Sequence, residues 1–131
     1  MATIRKEIQI NAPVAKAWDA LRDVGALHSK LVPGFVTDTK LEGNARVVTF
    51  GNGITAREDI VSVDETLHRV CWAILDQIFR HYNGAAQVLA DGAGCRFVWT
   101  TDLLPDELVP AVEQMMSDGI ATIRKTLESS R

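Results

Sequence analysis

The stretch Leu104-Pro105-Asp106-Glu107 through Leu127 most constrains what this chain can become. Leu108, Val112, Met115, Met116, Gly119, Ile120, Ile123 and Leu127 recur at spacings of three and four, while Glu113, Gln114, Ser117, Asp118, Arg124 and Lys125 fall on the other side. That pattern predicts one long amphipathic helix. Asp106 and Glu107 at its start and Arg124 and Lys125 near its end suit the helix dipole. An apolar face this wide must lie against something, and nearly everything before it reads as sheet. Pro110 lacks the amide proton an interior helical position uses, so a short separate first turn or a kink near Val109 is expected.

In a first strand, Ile4, Ile8 and Ile10 alternate with Arg5, Glu7 and Gln9, and only Lys6 interrupts the apolar side. A short helix is expected next: Asn11 is a candidate cap, Pro13 fits the first turn, and Val14, Ala17, Trp18 and Leu21 make an apolar stripe. Asp23 is the candidate cap of a second short helix from Val24 to Leu31, stopped by Pro33-Gly34. Six strands follow: Phe35–Leu41, Arg46–Phe50, Ile54–Val63, Arg69–Leu75, Phe79–Ala90 and Cys95–Leu103. The turns between them, among them Gly51-Asn52-Gly53 and Asp91-Gly92-Ala93-Gly94, are too short for crossover helices, so the sheet is an antiparallel meander. The expected class is α+β: a curved seven-stranded antiparallel sheet wrapped on a long C-terminal helix, with two short helices between strands 1 and 2.

Size and composition narrow the function. At 131 residues the length predicts one domain, residues 1–131, large enough to bury about two thirds of its unfolded surface. The net charge of -3, with both signs interspersed, argues against a nucleic-acid partner, which needs clustered Lys and Arg. Cys71 and Cys95 sit in apolar strand runs and read as reduced core thiols, which points to a cytoplasmic protein. The charged start and the lack of a long apolar run predict neither a signal peptide nor stable membrane insertion. His28, His68 and His81 lack metal-ligand spacing. Nucleophile-elbow, phosphate-loop and dinucleotide fingerprints are absent, so no metal or other cofactor is expected. A monomer or homodimer is expected.

Ile10-Asn11-Ala12-Pro13, Trp18, Leu21, Asp23, Val32-Pro33-Gly34, Arg57-Glu58, Val63-Asp64-Glu65, Tyr82-Asn83 and Val98-Trp99 together resemble the START-like (SRPBCC) superfamily, in its polyketide cyclase/dehydrase-like branch. The element order is similar to that superfamily's helix-grip fold, and the likeness covers essentially the whole chain. It implies a hydrophobic cavity between sheet and terminal helix, holding a small, mostly hydrophobic ligand. Glu58 resembles the acidic cavity position and Tyr82 the cavity tyrosine, with Trp99 further inward on the last strand. The chain departs from the plant hormone receptors of the superfamily in having only Gly51-Asn52-Gly53 where they carry a longer gate loop.

Strand parity supplies the rest of the candidate site. Tyr82, Gly84, Ala86 and Val88 form one inward set and Phe97, Trp99 and Thr101 another, mixing large rings with positions too small to fill space. Glu58 shares its strand face with Ile54, Ala56 and Ile60; a carboxylate there needs a partner, and Arg80 and Tyr82 have the parity to provide one. The alternative is that Arg57-Glu58-Asp59 is a solvated run. Trp72, Trp99, Met115, Met116, Gly119 and Ile123 complete the expected ligand-binding set, with Gly119 setting the room available. Trp18 reads as helix packing, His81 as outward, and His28 as the histidine nearest the Pro33-Gly34 entrance. Glu58 and Tyr82 are also the candidate catalytic residues. Ligand binding is the favoured function, the alternatives being cyclase/dehydratase-like acid–base chemistry and a protein-interaction module.

Overall fold

In a computed structural model, residues 1–129 are described. Seven strands form one antiparallel sheet: β1 (Ala2–Ile10), β2 (Val36–Glu42), β3 (Ala45–Phe50), β4 (Thr55–Asp64), β5 (Arg69–Ile74), β6 (His81–Asp91) and β7 (Gly94–Leu104). Their order across the sheet is β1-β7-β6-β5-β4-β3-β2. The meander therefore runs from β2 to β7, and β1 pairs beyond it, Ala2 opposite Leu103 and Ile10 opposite Cys95. The strand alternation places Ile4, Ile10, Val48, Val70, Val88, Phe97 and Leu103 in the core. Register shifts in β2, between Val36 and Asp38, and in β4, between Ile60 and Ser62, bend the sheet into a trough.

The segment joining β1 to β2 crosses the trough. Helix α1 (Val14–Arg22) buries Ala17, Trp18, Ala20 and Leu21. The second short helix expected from Val24 to Leu31 is instead a 3₁₀ turn, Val24–Ala26, followed by one turn of π-helix, Leu27–Leu31. Pro13, not Asn11, is the N-cap of α1, and the Asn11 backbone N–H donates to Glu128 Oε2 at 2.8 Å. Asp23 does stand at the N-cap of the Val24 turn, but its side chain makes no cap hydrogen bond and pairs with Lys30 at 2.9 Å. Trp18 holds α1 to the turn between β4 and β5: its Nε1 donates to Glu65 Oε1 at 2.8 Å, its ring lies 5.2 Å from His68, and Arg22 reaches both oxygens of Glu65. The Arg22 hydrogen bond, then that of Trp18, holds the Glu65 carboxyl below its ordinary range.

The terminal helix begins as Pro110 requires. A 3₁₀ turn, Asp106–Leu108, follows the cis Leu104–Pro105 bond, and α2 runs Val109–Ser129 with Pro110 in its first turn, where amide protons have no intrahelical acceptor. Helix α2 packs chiefly along β1. Lys6, the interruption in the apolar side of β1, is accommodated by reaching Glu113 at 3.5 Å. At the other end of α2, Lys16 Nζ donates to the Leu127 carbonyl at 2.7 Å. Among the described residues, no helix is long and apolar enough to cross a membrane.

Two glycines let rings lie against backbone. A Cβ on Gly84 would meet Trp72 Cε2 at 2.5 Å, and one on Gly119 would meet Trp99 Cζ3 at 2.8 Å. Gly119 thus seats the Trp99 ring, and its lack of a side chain does not enlarge the cavity as expected from sequence. Gly84→Ala should therefore cost about 1–3 kcal/mol by overpacking against Trp72. Urea unfolding measures it; a neutral result would contradict this seat for the indole.

Candidate functional site

The trough is not filled. Between strands β2 to β7 of the sheet, the π-turn and α2 lies a cavity of about 740 Å³, within the range of small-molecule sites. Its wall is mostly apolar and includes Leu27, Leu31, Val36, Trp72, Ile74, Ala86, Phe97, Trp99, Met115 and Ile123. The mouth is marked by Gly34, by Gly51, Asn52 and Ile54 of the β3–β4 turn with Thr55 at the start of β4, and by Asp76, Ile78 and Phe79 of the β5–β6 loop. Ile54 and Ile78 are each 62% exposed at this rim.

One charged pair sits in the wall. Glu58 of β4 lies directly opposite Arg46 of β3, and Arg46 Nε donates to Glu58 Oε1 at 2.7 Å. Their side chains are 4% and 8% exposed, whereas Arg57, beside Glu58 in sequence, is exposed. Arg46 Nη1 also donates to the Val24 carbonyl at 3.4 Å, and the guanidinium carbon lies 5.4 Å from the Trp72 ring centroid, a cation–π distance. The contact is one-pronged. Among the described residues no donor reaches the second oxygen of Glu58 and no acceptor reaches Arg46 Nη2.

The partner of Glu58 is therefore Arg46, not Arg80. The strand expected from Phe79 begins at His81; the Ile78 amide donates to Asp76 Oδ1 at 3.1 Å, and the loop it closes leaves the Arg80 side chain exposed and outside the cavity wall. Arg46 carried a readable signal, an arginine inside the apolar run Ala45-Arg46-Val47-Val48 on the same parity as Val48.

Tyr82 is 4% exposed and also lines the cavity, with Phe79 packed 4.8 Å from its ring. Burial, with the Glu58 charge adding to it, pushes its phenol well above the ordinary value; the Thr101 hydroxyl pulls the other way without reaching hydrogen-bond geometry. Trp72 Nε1 and Trp99 Nε1 are buried and have no acceptor among the described residues, and the two rings lie 6.4 Å apart.

The expected wall of α2 is half present. Met115 and Ile123 face the cavity, but Met116, fully buried, and Gly119 do not, because they lie on the strip of α2 packed against the sheet. His28 is half-buried beside the wall without joining it, and His81 is exposed. Cys71 and Cys95 are buried free thiols. Among the described residues no three His, Cys, Asp or Glu side chains converge to hold a metal ion.

A family model described as polyketide cyclase / dehydrase and lipid transport matches residues 1–128. Solved structures share the fold at low identity. The protein XoxI from Bacillus cereus is 16% identical with a TM-score of 0.88, over 98% of this chain and 97% of that one. A START superfamily protein from Mycobacterium smegmatis is 11% identical with a TM-score of 0.72, over 96% and 94%. A truncated norcoclaurine synthase from Thalictrum flavum is 17% identical with a TM-score of 0.75, over 99% and 95%. No curated protein matches the sequence significantly.

Breaking the buried pair should be costly. Arg46→Met leaves a buried carboxylate without its partner and should destabilise the fold by about 3–5 kcal/mol, while Arg46→Met with Glu58→Leu should recover most of that loss. Denaturant unfolding of both variants tests the difference. Tyr82 is the only tyrosine, so phenolate absorbance reports it alone. With its folded pKa above the unfolded value of 10.0, the unfolded chain releases the proton first; its contribution to stability is whole below pH 10.0 and is lost as pH rises beyond it. In an alkaline titration phenolate absorbance should appear together with unfolding, and ionisation of the intact fold near pH 10.0 would contradict the burial.

Proposed function

This chain belongs to the polyketide cyclase/dehydrase and lipid transport family of START-like proteins, and we propose that it binds a small, mostly hydrophobic molecule in the cavity between its sheet and α2. The observation that carries this reading is one buried, incompletely satisfied ion pair in an otherwise apolar cavity of about 740 Å³. Apolar wall supplies affinity, and a few fixed polar groups supply orientation. Glu58 and Arg46 are the proposed anchors, with Tyr82 beside them and Trp72, Trp99, Met115 and Ile123 against the apolar part of the ligand.

The polyketide cyclase/dehydratase-like alternative gives Glu58 and Tyr82 acid–base roles. They share one cavity, which is what that chemistry needs. Binding is favoured over it because Arg46 already engages one oxygen of Glu58 and burial holds the proton on Tyr82, which makes Tyr82 a poor acid near neutral pH.

Native mass spectrometry of the purified protein should show a co-purified small molecule, and ligand titration should quench tryptophan fluorescence. Ala56→Trp, which places an indole in the cavity from β4, should abolish both. Glu58→Gln and Tyr82→Phe should each weaken binding about tenfold. Unchanged affinity in both would remove them as anchors, and undiminished binding by Ala56→Trp would move the site elsewhere. Turnover of a carbonyl substrate that is lost in Glu58→Gln would favour the enzyme.

A further inference from the structure

The polar wall of the cavity has a charge balance that selects what enters it. Arg46 and Glu58 cancel one another at 2.7 Å, and among the described residues no other charged side chain reaches the deep wall. The remaining charged lining residues, Asp76 and Asp118, are exposed at the rim, where water solvates them. A ligand carrying a net charge would meet no uncompensated opposite charge inside. It would leave water at a cost that neither member of the pair can offset without abandoning the other.

The unpaired hydrogen-bonding capacity is of both kinds. Glu58 has one oxygen that accepts nothing from the described residues, and Arg46 Nη2 is a donor without an acceptor among them; the unpaired indole N–H groups of Trp72 and Trp99 are shut off from the cavity by their burial. A group that accepts from a donor on one side and donates to the free Glu58 oxygen on the other satisfies both. A hydroxyl does this and a carboxylate or an ammonium does not: the first cannot donate and the second cannot accept.

Resting on the binding role given above, we propose that the Arg46–Glu58 pair makes the cavity selective for uncharged hydrophobic molecules bearing a hydroxyl, against carboxylates and ammonium ions of the same length. Arg46 and Glu58 are then specificity-determining residues, each holding the other's charge in check.

Decanol, decanoate and decylammonium make a matched set, titrated against the full chain by calorimetry and tryptophan fluorescence. Decanol should bind at least about tenfold more tightly than either ion. Glu58→Gln should shift preference toward decanoate by exposing the Arg46 charge, and Arg46→Gln toward decylammonium. If circular dichroism shows that a variant has not folded, the wild-type ranking decides alone. Either ion binding as tightly as decanol overturns the charge selection and leaves the cavity's binding role standing. Binding of none of the three, together with no co-purified molecule, overturns the binding role and the selection with it.

Discussion

A helix is about 10–12 Å across with its side chains, and the six spacings of a seven-stranded sheet span roughly 29 Å at about 4.8 Å each. Helix α2 can therefore cover little more than a third of the concave face, and it lies along β1, at one edge. The remainder falls to the short connection between β1 and β2. Everything else about the interior follows from that mismatch of widths. Where the helix and sheet meet closely, Gly119 lets the Trp99 ring approach the helix backbone. Where they cannot meet, the sheet curls over and encloses space.

That enclosed space would be a liability if it were only apolar, since empty volume forfeits packing contacts. The pair in its wall changes its character. A buried ion pair is weak evidence for stability, because desolvating two charges consumes most of what their attraction supplies. Its one-pronged geometry leaves hydrogen-bonding groups of both kinds unsatisfied, so the arrangement makes better sense with something bound against it. Tyr82 sits within reach of the same field, which is why the Glu58 charge adds to burial in holding its proton.

Much of the fold was legible in the sequence because period and turns agree. All seven strands fall where alternation put them, with ends moved by a residue or two, and β6 starting at His81 instead of Phe79 is the shift with a functional consequence. It removed Arg80 from the parity argument. The true partner was in reach: Asn52 centres the β3–β4 turn, and Arg46 and Glu58 stand at equal separations on either side of it, as their pairing requires. Glycine misled for a different reason. A missing side chain marks a gap only if no neighbour fills it, and Trp72 and Trp99 come from other elements, invisible to the local pattern. The division of α2 into sheet-facing Met116 and cavity-facing Met115 likewise depends on where the helix lies across the sheet, which periodicity does not encode.

The pairing of β1 with β7 sets an order of events during synthesis. Ile4 finds its partner in Thr101 and Ile10 in Cys95, so the earliest made of these seven strands pairs only with the last made. Until β7 emerges, the apolar side of β1 has neither sheet neighbour nor α2 to cover it. Closing so long a loop makes folding slower than in proteins of local contacts. The nascent meander from β2 to β6 must therefore wait with its β6 edge open as well as its β2 edge, and the Arg5, Glu7 and Gln9 side chains of β1 are of the kind that discourage the unpaired β1 from pairing with another chain.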